Sequence, residues 1–203
     1  MYEGVDLLDV AGPWEMFNWV DKKLGLETVI VSSDGGSVTS VNGMRFEAHS
    51  SFKLTPKLDV LWVPGGDPAA LGKIMSDPDS SYLRYLREVA KDAMRVCSVC
   101  EGALLLARAG LLDGYEATTH WAFVECLRRF PAIRVAPGHP RFIVSGNRLT
   151  GGGISSGLDE SLKLIELLFG MATAETVQVT TQYFPEPPVM GAIPKAGVCP
   201  VQW

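Results

Sequence analysis

The chain has 203 residues, of which 47% are hydrophobic and 20% charged, and a net charge of −5. That size and composition suit one α/β domain with a full core and exclude a disordered chain. The acidic balance lacks the basic stripe that nucleic-acid binding needs, and no apolar run is long enough to span a membrane, so neither partner is expected.

In chain order, Gly4 marks a turn and Val5, Leu7, Leu8 and Val10 lead into a helix carrying Trp14, Phe17 and Val20. Asp9 sits just before that helix, where its simplest role is an N-terminal cap, and Glu15 is a first-turn helix acid. Residues 27–33 read as a strand. Residues 37–41 and 44–48 read as a hairpin across Asn42-Gly43, a strong two-residue turn. The apolar run 59–63, D-V-L-W-V, predicts a strand buried in a parallel sheet. It ends in Pro64-Gly65-Gly66-Asp67, whose glycines allow close backbone approach.

Helices are predicted at 68–74 and 78–92, then the strand around Val96, Cys97 and Val99 and a helix over 103–109. A brief strand at 116–119 leads to His120, and 122–130 is helical. Short strands follow at 133–136, 141–145 and 148–150, the last two joined through Gly146-Asn147. Thr150-Gly151-Gly152-Gly153 opens a long helix at 154–169, and a second helix covers 172–183. The segment 184–203, rich in Pro and Gly, reads as an irregular surface tail. The chain is one domain over 1–203. Alternating strands and helices with glycine-rich strand ends imply a doubly wound α/β sandwich, in which ligands sit beyond the carboxyl ends of the strands. Gly65-Gly66, Cys100, His120 and Gly151–Gly153 all fall at such ends.

Cys100 stands at the strand-to-helix corner of M-R-V-C-S-V-C-E-G-A-L-L-L-A-R-A-G (94–110), with Gly102 clearing the turn. This is the logic of a nucleophile elbow, and the following helix N-terminus should lower the thiol pKa. A free cysteine is more often a small buried hydrophobe, and Cys97, inside the strand, and Cys126, in a helix, are read that way. Cys97 and Cys100 spell C-x-x-C, but no second pair completes a zinc site, and Cys97 lies too early for a thioredoxin-type motif. Four cysteines without framework-like spacing and the absence of a secretory leader predict a reducing, cytoplasmic setting. Gly151-x-Gly153-x-x-x-Gly157 has the wrong spacing for a dinucleotide fingerprint. Of three histidines, His49 and His139 fall in loop-like, solvent-facing sequence. His120 reads equally well as a buried structural residue or as an imidazolium partner for a thiolate.

The motifs V-D-L-L-D-V-A-G-P-W-E (5–15), V-P-G-G (63–66), S-V-C-E-G-A-L-L-L-A-R-A-G-L-L-D-G (98–114), A-T-T-H-W-A (117–122) and L-T-G-G-G-I-S-S-G-L-D (149–159) resemble the ThiJ/PfpI superfamily. Within it they are most similar to the isonitrile hydratase branch and to the amidase-like domains of certain AraC-type regulators. The resemblance implies a flavodoxin-like sandwich (class I glutamine amidotransferase-like), a homodimer and a cysteine-dependent hydratase. Such an enzyme adds water to a small isonitrile, giving an N-substituted formamide without a metal or organic cofactor. It implies Cys100 as nucleophile, Asp9 as the acid beside it, and backbone N–H groups of Gly66 and Glu101 as an oxyanion-stabilising pair. Ile154 would lie close to the sulfur, with Gly65 and His120 as neighbours.

Glu101 departs from the pattern. The peptidase branch carries histidine after its cysteine and the hydratase branch a small hydroxyl residue. The regulators add a C-terminal helix-turn-helix domain, and the glyoxalase-like branch has glutamate where Asp9 stands. The superfamily's first strand, just ahead of V-D-L-L-D, is expected to be missing. The alternatives to a hydratase are a redox or small-ligand sensor or stress-response module that uses Cys100 without turnover, and a glyoxalase-like enzyme.

Overall fold

Short apolar segments alternating with amphipathic ones give ten short strands and seven helices in the computed structural model, which describes all 203 residues. The strands are β1 (Val31–Ser32), β2 (Val38–Thr39), β3 (Arg45–Phe46), β4 (Ser50–Ser51), β5 (Val60–Val63), β6 (Arg95–Ser98), β7 (Glu116–Ala117), β8 (Arg134–Val135), β9 (Phe142–Ser145) and β10 (Arg148–Gly151). The helices are α1 (Leu7–Asn18), α2 (Pro68–Ser76), α3 (Ser81–Ala90), α4 (Gly102–Arg108), α5 (Val124–Leu127), α6 (Ser156–Phe169) and α7 (Met171–Thr180).

The central sheet has the order β5-β6-β10-β9, with β5 and β10 parallel to β6 and β9 antiparallel at the edge. Its register sets Val63 beside Ser98 and Ser98 beside Thr150. The three parallel strands therefore end level, and the loops that leave them must converge. This is the physical origin of the site. Elsewhere β1 pairs with β4, β2 with β3 across Asn42-Gly43, and β7 with β8.

Two helical layers cover the sheet, as a doubly wound, flavodoxin-like fold requires. On one face α4 packs against α2, α3 and α5 in a large core that includes Leu83, Leu86, Leu104, Leu105 and Leu127. Helix α3 shows why: Leu83, Leu86, Val89 and Ala90 recur on one stripe, and Ser80 caps its N-terminus by accepting from Leu83 N–H. On the other face α6 packs against α1 and α7 through Met16, Val20, Ile165, Ala174 and Val177.

No ladder joins β1 to β5. A cavity of about 160 Å³ lies between them, lined chiefly by apolar side chains that include Val10, Trp14, Phe17, Trp62, Tyr85 and Leu164. The Met1 amine donates to Val31 O beside it.

Three expectations are corrected. Asp9 is not the cap of α1: Asp6 is, accepting from Leu8 N–H, and Asp9 lies buried inside the first turn. Cys126 is not a lone buried thiol but forms a disulfide with Cys199, a pairing that sequence separation of 73 hides. The segment 184–203 is irregular but not merely superficial, because Val201 is buried and Trp203 stacks on Phe130 at 5.9 Å. No helix is long and apolar enough to cross a membrane.

Candidate active site

Strand β6 delivers its chain to Cys100 in a left-handed conformation, φ 56°, which a side chain with a Cβ adopts only under constraint. The constraint is visible on both sides. Val99 N–H donates to Val63 O at 3.1 Å, Cys100 N–H donates to Gly152 O at 2.8 Å, and Thr119 Oγ1 donates to Cys100 O at 2.8 Å. The elbow is thus suspended from the ends of both neighbouring strands. Gly102 has to be glycine, since a Cβ there would stand 2.0 Å from Val63 O. A Cβ on Gly65 would stand 2.6 Å from Glu101 N and 2.9 Å from Cys100 Cβ, so that glycine lets the β5 loop touch the elbow.

Asp9, Cys100 and Glu101 come together, with one ligand-type atom of each within 4.8 Å of the others, and all three are buried. Asp9 Oδ2 accepts from Gly65 N–H at 2.8 Å, and Glu101 Oε2 accepts from Gly66 N–H at 3.3 Å. The Cys100 sulfur lies close to both carboxyls, and the Ile154 N–H near it favours the thiolate. Three such ligand atoms could approach a cation. No imidazole joins them, and their chemistry suits proton handling between a thiol and two acids.

The electrostatics differ from the sequence expectation. The thiol pKa is raised well above its ordinary value, first by burial and then by the charges of Asp9 and Glu101, with the Ile154 N–H opposing. The dipole of the seven-residue helix α4 cannot offset a sulfur that is 2% exposed between two acids. Burial raises Asp9 too, aided by Asp6 and Glu101 and opposed by the Gly65 bond. Burial lifts Glu101 to about 7, against hydrogen bonds from Cys100, its own N–H and Gly66. The resting site is a thiol, not a free thiolate.

The remaining expected residues fall around this centre. The N–H groups of Gly66 and Glu101, which the resemblance assigns to an oxyanion, are both taken by the Glu101 carboxyl. Ile154 also adopts a positive φ, 30°, and is 40% exposed. His120 is half-buried, its Nδ1 accepts from Ala122 N–H at 3.3 Å, and burial lowers its pKa. Its ring lies against Gly153, where a Cβ would stand 2.3 Å from Cδ2. His120 thus packs against the Gly153 loop. Together with Trp121, Arg141, Ile154 and Ile193 it lines a more polar cleft of about 310 Å³ beside the elbow. His49 is exposed and stacks on Trp14, and His139 borders the cleft.

Two residues escaped the sequence reading. Thr119 was legible only as part of a strand before His120. Glu160 occupies a position on the buried stripe of α6, between Gly157 and Leu164, and that helical spacing was the signal that could have found it.

A cysteine on a left-handed elbow at the carboxyl end of a doubly wound sheet, flanked by buried acids, defines a class of α/β proteins built around a cysteine elbow. Residues 1–167 match the DJ-1/PfpI family, and the chain belongs to it. It is 38% identical over 188 residues to an isonitrile hydratase of Pseudomonas putida, covering 93% of this chain and 78% of that protein. The structure of a ThiJ/PfpI family protein from Pseudomonas syringae superposes with a TM-score of 0.84 at 34% identity, covering 93% of this chain and 75% of that one. The HTH-type transcriptional regulator CdhR of Pseudomonas aeruginosa is 30% identical over 76% of this chain, which spans 44% of that regulator.

Proposed function

We propose that the protein is a cysteine-dependent isonitrile hydratase. The observation that carries this reading is the buried Asp9–Cys100–Glu101 group on the strained elbow. The likeness to the Pseudomonas putida hydratase supports it. Isonitrile hydration needs a nucleophile and a proton at the same carbon, and a thiol touching a carboxylate supplies both. As Cys100 Sγ attacks the terminal carbon of R–N≡C, Asp9 takes the thiol proton. The electron pair left on that carbon takes the proton from Asp9, giving the thioimidate R–N=CH–S–Cys100. Water then adds to the carbon, leaving a hydroxyl there and a proton on nitrogen. Collapse expels the sulfur, the hydroxyl proton returns through Asp9 to Cys100, and R–NH–CHO departs. A swing of the Glu101 carboxyl frees the N–H groups of Gly66 and Glu101 for the oxygen of the tetrahedral intermediate. The cleft beside Ile154 and Trp121 receives the R group.

The test is formamide formation from an aryl isonitrile, followed by absorbance, for the parent and Cys100→Ala. Many turnovers by the parent and none by the variant are expected. Equal rates would remove Cys100 from the chemistry. A parent that is only oxidised stoichiometrically at Cys100 by mild peroxide would support the sensor alternative, and turnover of methylglyoxal the glyoxalase one.

A further inference from the structure

Glu160 is fully buried, and neither of its oxygens has a hydrogen-bond partner. Desolvation without a partner strongly disfavours a carboxylate, so the group is a neutral acid with a proton to donate. Its place is specific. A Cβ on Gly151 would stand 2.0 Å from Glu160 Oε2, so this glycine makes room for the acid at the end of β10. The next residue is Gly152, whose carbonyl accepts the Cys100 N–H. Across the contact between α1 and α6, where the Gly157 Cβ position lies 3.6 Å from Pro13 Cγ, stands Asp9. Its Oδ2 is taken by Gly65, but its Oδ1 is buried and has no donor, and its charge acts on Glu160.

The one other buried polar side-chain atom without a partner is Ser98 Oγ on β6, a hydroxyl that carries no charge. Asp9 from α1 and Cys97 from β6 are the titratable groups coupled to Glu160. Strand β10 contributes Gly151 and Leu149, β9 contributes Phe142, and α7 meets α6 through Ala174 and Val177. None of these is charged.

We propose that Glu160 is a positioning residue: as a neutral acid it donates its proton towards Asp9 Oδ1 across one buried water, and so keeps Asp9 ionised beside Cys100. The proposal rests on the reading of Asp9 as the base in the reaction above.

The test is the pH profile of Cys100 alkylation by iodoacetamide in the full chain, assigned by mass spectrometry, for the parent, Glu160→Gln and Glu160→Leu. Alkylation reads the thiol and needs no isonitrile, so its result stands whether or not the protein is a hydratase. In Glu160→Leu, Asp9 loses its donor, takes up a proton and stops opposing the thiolate. The alkylation midpoint then falls by about one pH unit. Glu160→Gln keeps a donor and restores the parent profile. Coincident profiles for parent and Leu variant overturn the proposal, as does an equal shift in both variants, which would reflect packing alone. Should the Leu variant not fold, infrared spectroscopy of the parent at neutral pH decides: a protonated-carboxyl band absent from Glu160→Gln supports the proposal, and no such band overturns it.

Discussion

Cys100 and Glu101 are adjacent in sequence yet serve opposite demands. The left-handed backbone at Cys100 aims the sulfur out of β6, and the same turn folds the Glu101 carboxyl back onto Gly66 N–H. Burying that carboxyl has a thermodynamic signature. Its folded pKa of about 7 lies above the ordinary value of 4.5, so its contribution is intact below pH 4.5 and is lost as pH rises through 7. The difference corresponds to about 3 kcal/mol of lost stability above pH 8. Glu101→Gln should therefore melt with the parent near pH 4 and above it at pH 8. A gap that does not change with pH would show that the carboxyl ionises freely in the folded protein.

At the scale of elements, the site is a product of strand ends rather than of any one motif. The register that levels Val63, Ser98 and Thr150 brings three glycine-bearing loops together, and each glycine serves a contact that a Cβ would block. Gly102→Ala should be the harshest of these changes, because its Cβ would meet backbone, Val63 O, and not a side chain able to rotate away. We expect a loss of about 3 kcal/mol or more in chemical denaturation. The glycine runs were readable as close approaches, since glycine is the residue such approaches demand. Which atoms they approach was not. Likewise Asp6 and Asp9 both suit a helix start, and only the packing of α1 under the β5 loop shows that the first caps while the second reaches Gly65.

At the scale of the molecule, the large core is closed by the end of the chain. Cys199 is bonded to Cys126, Trp203 stacks on Phe130 with Arg129 5.0 Å above its ring, and a Gly72 Cβ would stand 2.5 Å from Gln202 O. The disulfide closes a sequence separation of 73, for which chain entropy allows about 4 kcal/mol. Cys199→Ser should lower the unfolding free energy by up to that amount and open the segment 184–203 to proteolysis. The rate of Cys100 alkylation by iodoacetamide should not change, because the bond lies on the α4–α5 face, away from Asp9 and Cys100. Parent-like resistance to proteolysis would show that Trp203 and Val201 alone hold the tail.

The sequence by itself determined the doubly wound architecture and the position of Cys100 at a strand-to-helix corner, and its resemblance to a family pointed to Asp9 and the Gly65-Gly66 loop as neighbours of that thiol. These follow from local periodicity, from glycine at sites of close approach, and from motifs that resemble those of a family. The tertiary structure decided what depends on distance and desolvation. It raised the thiol where a helix terminus alone would have lowered it, because two carboxyls share its burial. It turned Glu101 onto the N–H groups expected to hold an oxyanion, joined Cys126 to Cys199, and set Glu160 behind Asp9. Ionisation follows the dielectric and the charges around a group, and those surroundings are assembled from residues that lie far apart along the chain.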